Sequence, residues 1–179
     1  PILTSREGPV LRGEYRQKFN TGYTKIDSSI TRADKRNVVG DPLPGKDIRG
    51  HLFANGEFQA TPDTSWGFDI RRTTDDTYMR KYDIDAQTLL TSRVYGETYD
   101  FLESTDRTSL TVDALSFQGL TAQDDSSQIP LVLPLVQFNY ESSPDAWGGR
   151  YFSENSAMSL TRDDGARSHR LANIVGWKA

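Results

Sequence analysis

Apolar and polar residues alternate with a period of two along most of this chain, and few folds accept a sequence that does so for so long. From Ile48 to Ala60 one side reads Ile48, Gly50, Leu52, Ala54, Gly56, Phe58 and Ala60; the other reads Arg49, His51, Phe53, Asn55, Glu57 and Gln59. From Leu11 to Phe19, Leu11, Gly13, Tyr15, Gln17 and Phe19 alternate with Arg12, Glu14, Arg16 and Lys18. Trp66, Phe68 and Ile70 alternate with Gly67, Asp69 and Arg71. Residues two apart share a face of a strand, so each stretch predicts a strand with one apolar and one polar face. Capped amphipathic helices are absent. The same reading gives about nine strands, near residues 8–19, 23–32, 48–60, 65–73, 88–101, 107–118, 131–141, 148–162 and 168–177. The expected fold is all-β, an antiparallel up-and-down meander.

Many of these strands exceed the roughly five or six residues usual in soluble sheets and suit the roughly 9–11 that a tilted strand needs to cross a bilayer. The connections sharpen this. Asn20-Thr21-Gly22, Thr61-Pro62-Asp63-Thr64, Glu103 to Asp106 and Ser142 to Asp145 are short, whereas Ala33 to Asp47, Thr74 to Gln87 and Gly119 to Gln128 are long. Short and long alternate until the tight Asp163-Asp164-Gly165-Ala166. In a meander, odd and even connections lie at opposite ends, so one end carries short turns and the other long loops, as in outer-membrane barrels. The loop around Gly40-Asp41-Pro42-Leu43-Pro44-Gly45 is expected to continue neither strand nor helix, and Asn20-Thr21-Gly22 and Asp163-Asp164-Gly165 to supply residues that tolerate positive φ. Phe19, Tyr23, Trp66, Phe101, Phe138, Tyr140, Trp147, Tyr151 and Trp177 fall near predicted strand ends, where interfacial girdles belong.

Composition narrows the function. Hydrophobic residues are 35 % of the chain, and even with its 14 glycines the apolar share stays below the roughly 45–50 % of soluble domains. A net charge of −4 gives no basic excess for nucleic acid. There is no Cys, and the two histidines, His51 and His169, are far apart, so disulfides, thiol chemistry and a His-based metal cage have no basis. No nucleophile elbow, P-loop, zincin or dinucleotide motif occurs, so no catalytic residue, cofactor or metal set is expected. The acidic pairs Asp75-Asp76, Asp124-Asp125 and Asp163-Asp164 all fall in even-numbered connections, at one end of the sheet. They read as turn residues, or as acids placed near headgroups bridged by divalent cations.

Several segments, in order along the chain, resemble the lipopolysaccharide-assembly outer-membrane family LptD, also called organic solvent tolerance protein. They are Gly13-Glu14-Tyr15-Arg16, Asp75-Asp76-Thr77-Tyr78-Met79-Arg80-Lys81-Tyr82-Asp83, Ser116-Phe117-Gln118-Gly119-Leu120, and Ile129 to Val136 with Phe138 and Tyr140. Gly148-Gly149-Arg150-Tyr151 and Ser159 to Gly165 resemble the alphaproteobacterial versions. The resemblance implies a Gram-negative outer-membrane translocon: a periplasmic jellyroll and a very large barrel that passes lipopolysaccharide into the outer leaflet, with an LptE-like lipoprotein plug in its lumen. Residues 1–179 would then be one segment of the barrel, in outer-membrane lipid. The jellyroll, through which the periplasmic Lpt bridge delivers lipopolysaccharide, and the remaining strands, including those flanking the lateral gate, would lie outside it. Arg12, Glu14, Arg16, Arg49, Glu57 and Arg71 would face the lumen, and Asp75, Asp76, Asp124, Asp125, Asp163 and Asp164 would lie in loops near the headgroups. From pattern alone another porin or receptor barrel, or a soluble β-sandwich binding module, stays open.

Overall fold

A computed structural model describes residues 2–4, 8–37, 39, 41–102, 105–121 and 123–179. They form one ten-stranded antiparallel sheet in strict sequence order. Its strands are β1 (Ile2–Thr4), β2 (Gly8–Phe19), β3 (Gly22–Arg36), β4 (Pro42–Thr61), β5 (Thr64–Thr73), β6 (Leu89–Tyr99), β7 (Arg107–Gly119), β8 (Leu131–Glu141), β9 (Arg150–Thr161) and β10 (Ser168–Lys178). A single helical turn, α1 (Tyr78–Lys81), interrupts the β5–β6 connection. The nine expected strands are β2 to β10, and the order is that of an up-and-down meander. No second sheet covers the apolar face among the described residues.

Register fixes the two faces. Directly opposed residues share a face, so Arg12, Ser29, His51 and Thr73 form one row, and Glu14, Asp27, Phe53 and Arg71 the next. On the other face, Phe19 and Gly22 continue to Phe58 and Trp66, and Tyr15 and Ile26 to Ala54 and Ile70. That face is open: Leu11 and Ile48 are each 66 % exposed. A sheet that leaves large side chains uncovered on one face and charges on the other has the polarity of a membrane barrel wall, where the apolar side meets lipid.

The aromatic residues sort by end. Phe19 and Phe58 are 5.6 Å apart, and Phe58 stacks on Trp66 at 4.6 Å. Phe101 meets Phe138 at 6.2 Å. The Tyr140 hydroxyl donates to Asp106, and the Trp177 indole to Asp145. All lie at the end of the 20–21, 62–63, 100–106 and 142–149 connections. Amphipathic rings with their polar atoms bonded outward make a girdle at that end. Tyr23 belongs to this end but lies on the charged face, opposite Glu57.

Two local expectations are corrected. The 33–47 stretch is not a long loop: β3 and β4 run on through it, pairing Ala33 with Asp47, Asp34 with Lys46 and Arg36 with Pro42 across an irregularity between Asp34 and Arg36. Pro42 opens the strand, where no ladder donor is required of it, and Gly45 sits at φ 99°, so neither residue prevents pairing. The connection shrinks to 37–41, shorter than 100–106 and 142–149 at the opposite end, so the expected alternation of short and long is broken, while 74–88 and 120–130 stay long. Gly22, for its part, is not a positive-φ residue; a Cβ there would collide with the Glu57 carbonyl, so glycine serves close strand approach. Gly165, at φ 123°, does make the expected tight turn. Gly40 of the predicted loop, and Glu103 and Ser104 of the predicted 103–106 turn, lie outside the described residues.

Candidate functional site: a strap across the charged face

The 74–88 connection folds back over the charged face of the sheet and forms a strap. Its start is set locally: Asp75 Oδ1 accepts from the Thr77 amide at 3.1 Å and its hydroxyl at 2.9 Å, a turn that launches α1. The turn is held by Lys81 and Tyr82 amides donating to Thr77 and Tyr78 carbonyls at 3.0 and 3.2 Å. An isolated turn of this length is unstable in water, so packing must hold it. Tyr78 and Met79 are fully buried, in a cluster with Val10, Tyr82, Leu90 and Leu120, flanked by Phe53 and Ile84.

Two arginines bracket the strap. Arg49 of β4, 3 % exposed, donates from Nε and Nη2 to Asp75 at 2.7 and 2.6 Å, and from Nη2 to Thr77 Oγ1 at 2.7 Å. Such bidentate pairing fixes geometry as well as charge. Its guanidinium also lies 5.7 Å from the centre of the Tyr78 ring. At the other end Arg71 of β5 donates to Gln87 Oε1 at 3.3 Å, stands 3.8 Å from Asp85 and covers Phe53 at 5.3 Å.

Between them runs a buried chain of polar groups. The Ser29 hydroxyl is 2.6 Å from both the Tyr78 hydroxyl and His51 Nδ1. If Tyr78 donates to Ser29 and Ser29 to Nδ1, the ring proton falls on Nε2, 3.6 Å from Asp27. Asp27 in turn accepts from Arg12 at 3.0 and 2.6 Å. Below the strap a cavity of about 550 Å³ is lined by Tyr23, Glu57, Asp69, Arg71, Arg93 and Tyr95, among others.

The wall itself changes beside the strap. β5 and β6 pair only from Thr64–Thr98 to Asp69–Arg93. Beyond that, side chains replace the ladder: Ser92 Oγ accepts from the Arg71 amide and donates to its carbonyl at 3.0 and 3.1 Å, and the Gln118 amide does the same for Thr73 at 3.1 and 2.8 Å. This satisfies backbone groups that a splayed seam would otherwise strand.

All six charges singled out in the sequence share the face the strap covers. Arg49 and Arg71 hold the strap; Arg12 is bound to Asp27; Glu14 is paired with Arg16 at 2.7 Å and faces Lys25 at 3.4 Å; Glu57 lines the cavity. Of the six loop acids, Asp75 anchors the strap, Asp124 accepts from the Thr121 amide at 2.8 Å and hydroxyl at 2.9 Å, and Asp125 accepts from Ser127. The Asp164 amide donates to the Ser127 carbonyl, tying the 120–130 and 162–167 connections together. Asp76, Asp124 and Asp163 line one further cavity, but no three acids or histidines among the described residues are grouped as metal ligands. Tyr78 and Met79 fall in the Asp75 to Asp83 segment that carries the family resemblance and His51 on the polar face of the 48–60 alternation, but nothing in the sequence brought them together with Ser29. A further sign is Tyr78-Met79 itself, an apolar pair within a loop otherwise rich in charge.

Burial drives the Asp75 carboxyl up, but its hydrogen bonds and ion pair with Arg49, with Thr77 behind them, outweigh this and hold it below the ordinary carboxylate range. Asp76 is pushed the other way, by burial and then by the charges of Asp75 and Asp124. A depressed carboxyl contributes stability above its unfolded pKa and loses it as pH falls through the folded value. Asp76, with its raised value, protonates first and relieves repulsion on Asp75. The strap should therefore stay closed through mild acid and release only below about pH 3.9, the free Asp value. Pepsin cleavage beside Tyr78 and Tyr82 checks this, with cleavage already present in mild acid as the contrary result.

A one-sheet meander with an apolar and a charged face, an aromatic girdle at the end of the 20–21 and 62–63 turns and a strap on the charged side has the architecture of a transmembrane β-barrel wall. The family described as LptD, LPS transport system D, matches residues 47–178 of this chain. The chain belongs to that family of outer-membrane lipopolysaccharide-transport proteins. No curated protein and no solved structure matches it.

Proposed function

We propose that this chain forms part of the barrel wall of the translocon that inserts lipopolysaccharide into the outer leaflet of the outer membrane. Arg12, Glu14, Arg16, Arg49, Glu57 and Arg71 face a hydrated lumen; the Leu11, Ile48 and Trp66 face meets lipid. The girdled end is periplasmic, and the 74–88 and 120–130 connections lie outside, where Asp76, Asp124, Asp125, Asp163 and Asp164 stand near headgroups. The observation that carries this reading is the division of one sheet into a charged and an uncovered apolar face.

The mechanism is electrostatic and topological. A charged, wet lumen accepts the sugar and phosphate part of the cargo, while its acyl chains leave sideways into lipid. The strap narrows the lumen from the outer side and occupies Arg49 and Arg71. An LptE-like plug and the Lpt bridge, acting through a jellyroll elsewhere in the protein, are the partners this reading calls for.

Replacing Arg71 with Glu sets a carboxylate beside Asp69 and Asp85 and frees the far end of the strap. Cells that depend on this variant should admit large antibiotics that an intact outer leaflet excludes. Unchanged permeability at normal protein levels would overturn the role.

A further inference from the structure

We infer that the loop-bearing rim of the wall holds a binding site for a phosphate-bearing lipid, with Arg72, Arg162 and Arg167 taking the head and an apolar groove beside Arg72 taking a chain. It rests on the orientation proposed above and uses none of the arginines that bracket the strap, although Thr74 and Asp76 of the strap border its two concavities.

Arg72 is the anomaly that points to it. Its cross-strand partner is Leu52, so it lies on the apolar face, one residue before β5 ends at Thr73. A charge on that face is costly in mid-bilayer and nearly free at the interface, where basic pockets recognise lipid phosphates. Its guanidinium donates to Ser116 across β6, which fixes the head of the side chain above the seam where the ladder is broken. Arg72 also borders two concavities at once. One, about 860 Å³, is shared with Arg162, Arg167, Asp76, Asp124 and Asp163. The other, about 290 Å³, is lined by Ile30, Ile48 and Leu52.

A second observation concerns Arg162. Its Nε is buried yet has no hydrogen-bond partner in the structure, so a donor beside the larger cavity stands unused. Buried donors normally find an acceptor, and a phosphate oxygen is one that arginine binds well.

The occupant follows from the charge balance. Three arginines share the larger cavity with three aspartates, so a free anion gains little from the net field there. An amphiphile gains a second contribution from the groove, which a soluble phosphate cannot use. The chemistry recognised is therefore an anionic phosphate carried on an acyl lipid.

The test is lipid retention by the complete protein in phosphatidylcholine nanodiscs doped with phosphatidic acid in both leaflets, counted by native mass spectrometry. The wild type should retain phosphatidic acid over phosphatidylcholine. Arg72→Gln and Arg162→Gln should each lower retention about fivefold, the effect of one cation near a lipid phosphate. Arg72→Lys keeps the charge and should retain the lipid, which separates loss of the site from loss of the fold. Equal retention by wild type and Arg72→Gln would overturn the site, and displacement by inorganic phosphate at matching concentration would overturn the lipid as its ligand. Because retention needs neither transport nor a defined insertion direction, its failure is distinct from failure of the translocon reading.

Discussion

Arg49→Glu should release the strap. The substitution removes three donated hydrogen bonds and places a carboxylate against Asp75 in a largely dry contact, with Arg49's side chain 4 % exposed and Asp75's 32 %. Breaking a buried pair by removing one partner costs about 3–5 kcal/mol, and the partial exposure of Asp75 argues for the lower end, about 3 kcal/mol. The Lys81, Tyr82 and Ile84 amides, which donate within the strap, report the effect directly. Their hydrogen exchange should accelerate by about a hundredfold, since 1.4 kcal/mol is a factor of ten. Arg49→Lys keeps the charge without the planar fork and should fall between. Unaltered exchange in Arg49→Glu would show that something other than this pair anchors the strap.

Tyr78→Ala should be comparably damaging for a different reason. The ring is fully buried and contacts Tyr82 at 4.8 Å and His51 at 6.3 Å between centroids. Emptying such a site costs about 3–5 kcal/mol. Tyr78→Phe keeps the ring and removes only the hydroxyl, leaving Ser29 still bonded to His51, so its cost should be near 1 kcal/mol. The same exchange measurement separates the cases. Equal losses in the two variants would mean that the polar chain, and not packing, holds the strap.

These two positions mark how far the site could be read in advance. Arg49 was legible because it alternates with Ile48 and Gly50, and period two assigns a face without any knowledge of the neighbours. Tyr78 was not. It lies in a connection, where no periodicity applies, and its partners Ser29 and His51 sit 49 and 27 positions away. Nothing local distinguishes a tyrosine that waits on a loop from one that closes onto a sheet. Arg72 shows a further limit: its place on the apolar face follows from alternation, but the splayed seam that lets it reach Ser116 does not.

In the 33–47 stretch the converse holds, and local punctuation gives way to strand pairing. Its prolines and glycines read as a loop, yet β3 pairs with Asp47, Lys46 and, across an irregularity, Pro42, so pairing overrides the propensity outside the 37–41 connection. Antiparallel pairing is a long-range contribution, invisible to the residues on either side.

By itself, then, the sequence determined the all-β meander, its nine long strands and the two faces, because side-chain alternation and turn chemistry act over a few residues. Only the tertiary structure decided that the 74–88 connection turns inward as a strap, that Arg49 and Arg71 bracket it, and that Ser29, His51 and Tyr78 meet beneath it. Those contacts join β3, β4 and a loop, and their positions follow from register and packing, which no local pattern encodes.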